Sequence, residues 1–136
     1  MIDQEIQELR EWSAGVMGWE SKELIDEYGN NVGEWHKDGS YTGYDAYYIH
    51  SDGEDVSYDL SFLWRPDTDL NQCFMLVKKM EALGWRLHLC VPGMMYPDKI
   101  SAGFSPLKEC IMPQHYHKEE SPSLAILLAA RETGVK

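Results

Sequence analysis

The sequence has few positively charged residues. Its 136 residues include 12 lysines and arginines against 23 aspartates and glutamates, so the formal net charge is −11 at pH 7. Cationic side chains drive nucleic-acid binding because they release counterions from the phosphates. The charge balance therefore argues against direct nucleic-acid binding. An acidic surface has two interpretations: it keeps the protein soluble, or it mimics nucleic acid. Mimicry needs the acidic residues on one face, whereas they are spread along most of the chain.

The chain also lacks a long apolar run. The longest apolar stretch, residues 124–130, is too short to cross a bilayer. The first ten residues have neither the basic region nor the apolar core of a signal peptide. We therefore expect a cytoplasmic protein that makes no membrane contact.

Cysteine is scarce as well. Cys73, Cys90 and Cys110 are odd in number and widely spaced, and no pair has C-x-x-C spacing. Each lies in an apolar context, which favours small buried hydrophobic residues over metal ligands or redox groups. Free thiols also suit the reducing cytoplasm.

The residues that are present predict three amphipathic helices. Apolar residues at helical spacing predict a first helix over 2–16, ending near Gly15 or Gly18, where glycine can form a left-handed cap. The last helix begins at the N-cap residue Ser121. Pro122 follows at the first helical position, where its missing N–H has no partner to lose.

The middle helix has the clearest start. Asp69 is a good N-cap, and Gln72 three residues later completes a capping-box pattern. The helix is predicted to end near Leu83. Its predicted core-facing stripe consists of Leu70, Cys73, Phe74, Val77, Met80 (or Ala82) and Leu83.

Alternating apolar residues and turn signals predict the strands. The predicted strands are 32–37, 44–50, 56–64, 85–91 and 99–105, and 56–64 alternates most clearly. Residues 21–28 are ambiguous between a short helix and a loop, 107–112 are a candidate edge strand, and 113–120 are a predicted polar loop. This order predicts an α+β fold: one domain over 1–136, a layered α/β/α sandwich with a largely antiparallel sheet and three amphipathic helices.

Short motifs along nearly the whole chain resemble a known family. The motifs are Met17-Gly18-Trp19, Trp64-Arg65-Pro66, Leu83-Gly84-Trp85, Phe104, Ala125-Ile126 and Ala129-Ala130. In order and spacing they resemble the phage ABA sandwich domain, which is found in small phage and prophage proteins. The resemblance implies that fold and a phage protein acting in the cytoplasm of the host cell. It implies no reaction and no catalytic residue. Residues 39–54 depart from the family pattern in being longer and richer in tyrosine.

The histidines are the main candidates for metal binding or catalysis. His115 and His117 could place two ligands on one face of a strand, but only Glu119 and Glu120 are nearby, and a polar loop explains all four. His88 alternates with apolar neighbours, which favours a solvated or hydrogen-bonded histidine over a base. The sequence contains no G-x-S-x-G motif and no glycine-rich phosphate loop. We therefore predict no catalytic residue, no metal site and no cofactor.

Aromatic residues are concentrated between positions 35 and 48. Trp35, Tyr41, Tyr44, Tyr47 and Tyr48 could stack on the rings of a ligand, or could pack a hairpin onto the domain. Tyr47 and Tyr48 are adjacent, so in a strand they face opposite sides. At least one of them is then expected to be exposed or to lie in an interface.

These observations predict a non-enzymatic phage accessory binding protein. One form is an anti-defence protein that sequesters a small nucleotide-derived signal. Its candidate ligand-binding residues are Trp35, Tyr44, Tyr47, Arg65 and Arg86, and Lys99 is a further cation that could meet a phosphate. The alternatives are an acidic protein–protein inhibitor of a host factor, acting through its acidic surface or the apolar loop 92–97, and a minor phage structural or assembly protein. A homo-oligomer, formed through an edge strand near 107–112 or through the tyrosine hairpin, is compatible with each.

Overall fold

The secondary structure confirms the predicted α+β class, with three helices and antiparallel strands. The computed structural model describes residues 3–49, 59–90, 99–109, 112–113, 116–119 and 121–136. Within these ranges the elements are α1 (Asp3–Val16), β1 (Glu20–Ile25), β2 (Asn31–Lys37), β3 (Ser40–Ile49), a short 3-10 helix (Leu60–Phe62), α2 (Leu70–Ala82), β4 (Trp85–Cys90), β5 (Ile100–Pro106), β6 (His117–Glu119) and α3 (Pro122–Glu132). The described strands form two three-stranded sheets.

Contacts divide the chain into two compact units. The hairpin unit is Met17–Trp64, and the helical unit is Met1–Val16 together with Arg65–Lys136. Each unit contains one of the two sheets. The prediction of one domain over 1–136 is not tested by this division and stays a prediction.

The hairpin unit is an antiparallel meander in the order β1-β2-β3. The strands predicted over 32–37 and 44–50 are confirmed as β2 and β3. Between them Asp38 has φ 52° and Gly39 has φ 81°, as a tight primed turn requires. Of residues 21–28, which the sequence left between helix and loop, 21–25 belong to β1 instead. All six residues of β1 are exposed, so no apolar alternation marks it, and pairing with β2 defines the strand.

The strand predicted over 56–64 is wrong in its described part. Residues 50–58, with the predicted turn at 51–54, lie outside the described residues. Leu60–Phe62 form the 3-10 helix because the Asp59 side chain accepts a hydrogen bond from the Ser61 N–H and caps it. Leu63 makes a single parallel bridge with Asp45. A local cap has therefore overridden the alternation of apolar residues.

The helical unit packs three helices with an antiparallel sheet in the order β4-β5-β6. β4 and β5 confirm two predicted strands. In its described part the candidate edge strand 107–112 is wrong: Leu107–Glu109 form a turn, in which the Glu109 N–H donates to the Pro106 carbonyl at 3.2 Å. One of the two edge strands is β6, which lies inside the predicted polar loop 113–120. Fully buried core residues of this unit include Leu9, Leu76, Met80, Ile126 and Leu127.

The start of α2 follows the prediction, and its buried face follows it in part, since Cys73, Val77 and Met80 are buried as predicted. The Asp69 carboxylate accepts the Gln72 N–H at 3.1 Å, but the Gln72 side chain accepts the Arg65 N–H at 2.6 Å, so only half of the capping box forms. Leu70, Phe74 and Leu83 of the predicted stripe are 40–46% exposed, and the buried face contains Leu76 instead. No helix among the described residues is long and apolar enough to cross a membrane.

Candidate functional site

Two of the predicted ligand-binding aromatics pack within the hairpin unit. Trp35 lies on β2 and is only 7% exposed. The Tyr44 ring is stacked on Trp19 with ring centroids 5.8 Å apart, and meets Trp64 at 5.4 Å. Trp19 and Trp64 themselves pack edge to face at 4.7 Å. The three rings form an aromatic cluster, as expected of rings that hold a small sheet together.

Tyr47 and Tyr48 face opposite sides of the meander, as their adjacency predicts. The Tyr47 ring covers Gly33, where an added Cβ would lie 2.4 Å from the ring. Burial, and then a hydrogen bond to Glu23, raise the pKa of Tyr47. The Tyr48 hydroxyl donates to Asp26 at 3.2 Å and accepts from the Asn30 amide at 2.7 Å. Both rings are half-buried and are held by their own sheet.

Carboxylates also surround Tyr41 at the other end of the meander. Its hydroxyl donates to Asp45 at 2.7 Å, and His36 contacts Glu34 at 3.0 Å. Burial raises the pKa of Tyr41, and the Asp45 hydrogen bond and the charges of Asp45 and Glu34 raise it further. These negative charges disfavour a phosphate near the tyrosines. The ligand-binding role of Trp35, Tyr44 and Tyr47 stays a prediction.

The two predicted arginines lie in the helical unit. Arg65 precedes α2, and its guanidinium is 3.9 Å from the Asp69 carboxylate. Arg86 is exposed on β4, and its side chain makes no hydrogen bond or ion pair with any residue that the structure describes. Arg86 therefore has a full set of N–H donors available to an external acceptor.

The register of the second sheet shows which side chains accompany Arg86. Arg86 pairs with Ser105, His88 with Gly103, and Cys90 with Ser101, which in turn pairs with Lys118. Directly paired residues point to the same side of a sheet, and alternate residues of a strand share that side. One side, here called the polar face, therefore presents Arg86, His88, Cys90, Ser101, Ser105 and Lys118. The opposite side presents Leu87, Leu89, Ala102 and Phe104.

The polar face has an electrostatic character unlike that of the whole chain. Arg86 and Lys118 are exposed cations, and no aspartate or glutamate of β4, β5 or β6 shares their side, since Glu119 pairs with Ile100 on the other. Cys90, Ser101, Tyr116 and Lys118 surround an open depression of about 380 Å³. Burial, followed by the charge of Cys90, raises the pKa of Tyr116. Cations, hydroxyls and a ring thus lie side by side.

His88 and Ser105 form the one pair on this face that could suggest a nucleophile. The His88 ring nitrogen is 2.9 Å from the Ser105 hydroxyl. A catalytic serine must reach substrate, and its histidine is ordinarily oriented by a third group. Ser105 is only 2% exposed, and no described carboxylate contacts His88. The pair orients the imidazole within the face, and the prediction that the chain has no catalytic residue stays a prediction.

Of this face, only Arg86 was a predicted ligand-binding residue. Alternation in 85–91 and 99–105 could have placed His88, Ser101 and Ser105 beside it, because the apolar residues of both segments occupy the other side. Lys118 gave no such signal, since it lies within a segment that reads as a loop.

The structure also places the predicted thiols and metal ligands. Cys73 is buried as predicted, with its thiol 3.6 Å from the Ser123 carbonyl. The prediction of a buried Cys90 is wrong, because alternation turns it to the exposed side of the sheet edge. Cys110 and His115 lie outside the described residues, and His117 is 3.7 Å from Glu132. The described residues contain no group of three histidine, cysteine or acidic side chains that could hold a metal ion.

Motif residues of the family resemblance are distributed over both units. Trp19 and Trp64 meet in the aromatic cluster, Phe104 is buried in β5, and Ala125 and Ala129 are buried in α3. These positions are those of core residues, and membership of the phage ABA sandwich family stays a prediction. Comparisons with models of protein families, with curated proteins and with solved structures found no match to this chain.

Proposed function

We propose that the protein is a non-enzymatic binding protein that holds a small anionic, nucleotide-like molecule on its polar face. The observation that supports this is the exposed, unpaired Arg86 on a sheet face with Lys118, in a chain whose net charge is −11. Together with the family resemblance, this suggests a phage accessory protein in the host cytoplasm. It would act against host defence by sequestering a nucleotide-derived signal.

The chemistry of the face favours a phosphate or similar anion. Arginine presents a planar set of donors that matches phosphate geometry, and lysine adds a point charge. Arg86 lies four positions along the strands from the row of Cys90, Ser101 and Lys118, and Lys118 lies two strands across from Arg86. At about 3.3 Å per residue and about 4.8 Å per strand, the two cationic residues are about 16 Å apart. A ligand of this length could place one anionic group on Arg86 and another on Lys118.

The remaining groups on the face would orient such a ligand. His88 lies between the two cationic ends, opposite Gly103 in the register. The Ser101 hydroxyl can donate to a phosphate oxygen or a ribose hydroxyl. Tyr116 provides a ring beside Lys118 on which a base could stack.

Calorimetric titration with ADP-ribose, cyclic dinucleotides and AMP tests this function, with uncharged adenosine as the reference. We expect saturable binding of at least one phosphorylated compound and a higher Tm in its presence. Arg86→Ala and Lys118→Ala should each weaken binding about tenfold, which is about 1.4 kcal/mol. The control Lys78→Ala changes an exposed lysine of α2 and should leave the affinity unchanged. Absence of heat and of any Tm increase with every compound would overturn the proposal.

The hairpin unit supports a second candidate function, that of an acidic inhibitor of another protein. Residues 20–49 contain seven aspartates and glutamates against two lysines. β1 is exposed along its whole length, and Ile25 and Ile49 are 72% and 55% exposed. If this function is correct, a host protein that the wild-type chain captures should no longer be captured by the Ile25→Ser variant. Its capture should not change with Arg86→Ala.

A further inference from the structure

A second, more enclosed pocket lies in the helical unit, where the ends of β4 and β5 meet the C-terminal end of α3. Its volume is about 250 Å³, and it is lined on its apolar side by residues that include Trp85, Phe104, Met112 and Pro113. Phe104 faces the side of the sheet opposite the polar face, as the register requires. Ser105 of the polar face also lines the pocket, so the pocket adjoins the proposed anion site and differs from it in its apolar and acidic residues.

Negative charge is concentrated at this pocket. Glu109 and Glu132 belong to its lining, and no lysine or arginine is among the described lining residues. Thr133, the C-cap of α3, also lines it, so the last carbonyls of the helix add partial negative charge. Glu109 makes no ion pair with a described residue, whereas Glu132 has the His117 ring nitrogen within ion-pair distance, at 3.7 Å.

We infer that this pocket binds a small organic cation with an apolar body. An ammonium group would lie near Glu109, Glu132 and the end of α3, and the apolar body would contact Phe104 and Met112. Trp85 adds a ring face of the kind that attracts cations. The same charges would repel a phosphate, so this ligand belongs to a chemical class different from that of the polar face.

The size of the pocket limits the ligand to about one ring with a short chain. An apolar cavity of about 150 Å³ already admits benzene, whereas drug-sized ligands occupy about 300–1,000 Å³. A volume of about 250 Å³ lies between these limits. An arylalkylamine meets both the size and the charge requirement.

Titration with 2-phenylethylammonium tests the inference, with neutral 2-phenylethanol and anionic 3-phenylpropionate as matched probes. Binding is followed by calorimetry and by the NMR signal of the Trp85 indole N–H. We expect the cation to bind at least tenfold more tightly than the alcohol, and the anion not to bind. Glu109→Gln/Glu132→Gln should reduce the affinity for the cation to that for the alcohol. The control Glu81→Gln changes an exposed glutamate of α2 outside the pocket and should have no effect.

Equal affinity for the cation and the alcohol would overturn the inference, because the pocket would then select only for shape. Absence of binding by all three probes would also overturn it. Arg86→Ala should leave the affinity for the cation unchanged. Failure at this pocket is thus distinguishable from failure of the polar-face proposal.

Discussion

At the residue scale, position 33 requires glycine because of a neighbouring side chain and not because of its backbone conformation. Its absent side chain leaves the space that the Tyr47 ring occupies. We predict that Gly33→Ala lowers the free energy of unfolding by about 1–2 kcal/mol, because the ring must move to admit the methyl group. Urea unfolding measures this loss.

Gly15→Ala is the matched control for that substitution. Gly15 lies in α1 and has open space where a Cβ would be. Alanine in a helix is favoured over glycine by about 0.5–1 kcal/mol, so this variant should be as stable as the wild type or more so. An unchanged stability of Gly33→Ala would show that Tyr47 is not packed as described.

Asp26 is a second residue with a measurable role. Burial tends to raise the pKa of Asp26, but hydrogen bonds from Asn30, Tyr28 and Tyr48 outweigh it, and the pKa lies below its ordinary value of 3.8. A carboxyl group with a lowered folded-state pKa stabilises the protein above its unfolded-state pKa. That stabilisation is lost as the pH falls through the folded-state pKa.

We therefore predict that Asp26→Asn is less stable than the wild type at pH 7 and that the difference shrinks as the pH falls to 3. Urea unfolding at both pH values measures the difference. Glu27→Gln, in the same turn, is the charge-matched control and should be as stable as the wild type at both pH values. A constant difference between Asp26→Asn and the wild type at the two pH values would contradict the assigned role.

At the element scale, one ion pair joins α1 to the turn before α2. The Arg10 guanidinium bonds to both Asp67 oxygens, at 2.7 and 3.1 Å, and Asp67 is only 4% exposed. Removing one partner of a buried pair leaves a charge without compensation. We predict that Asp67→Ala costs about 3 kcal/mol of unfolding free energy.

A double-mutant cycle with Arg10→Met separates this pair from ordinary truncation effects. Arg10→Met/Asp67→Ala should cost clearly less than the sum of the single variants, because it leaves no buried charge unpaired. Additive losses in urea unfolding would contradict a direct interaction between the two side chains.

The rotated face of α2 leads to another prediction at this scale. Leu76 is fully buried, whereas Phe74 is 40% exposed, although helical spacing alone placed Phe74 in the core. Leu76→Ala should therefore cost about 3 kcal/mol and Phe74→Ala clearly less. Equal losses on thermal or urea unfolding would show that the predicted stripe was correct.

At the scale of the whole molecule, charge is the dominant feature. A net charge of −11 on 136 residues destabilises the compact state through self-repulsion. Salt screens this repulsion, because the Debye length falls from about 30 Å at 0.01 M to about 10 Å at 0.1 M. We predict that raising NaCl from about 0.01 M to about 0.1 M increases the Tm in the absence of ligand. A Tm that falls with salt would indicate that ion pairs outweigh the repulsion.

The same salt series bears on the two ligand classes. Screening by salt should weaken the binding of a phosphorylated compound at Arg86 and Lys118. It should also weaken the binding of an ammonium ion at Glu109 and Glu132. The two sites have opposite charge and adjoin at Ser105, which belongs to the polar face and also lines the pocket.

The sequence by itself determined the features that depend on neighbours a few residues apart. Asp69 and Ser121 cap their helices through bonds to N–H groups three residues on, and the Asp38-Gly39 turn joins two strands that the alternation marks. Local chemistry of this kind is fully present in the sequence. For the candidate site, it pointed to Arg86 alone.

Only the tertiary structure decided which distant residues share a surface. The edge strands β1 and β6 have no continuous buried face, so their sequences resemble loops, and hydrogen bonds to a neighbouring strand define them. The polar face exists because the register pairs Arg86 with Ser105 and Ser101 with Lys118. Register is a property of two strands packed together, with one side buried, and no single strand contains it.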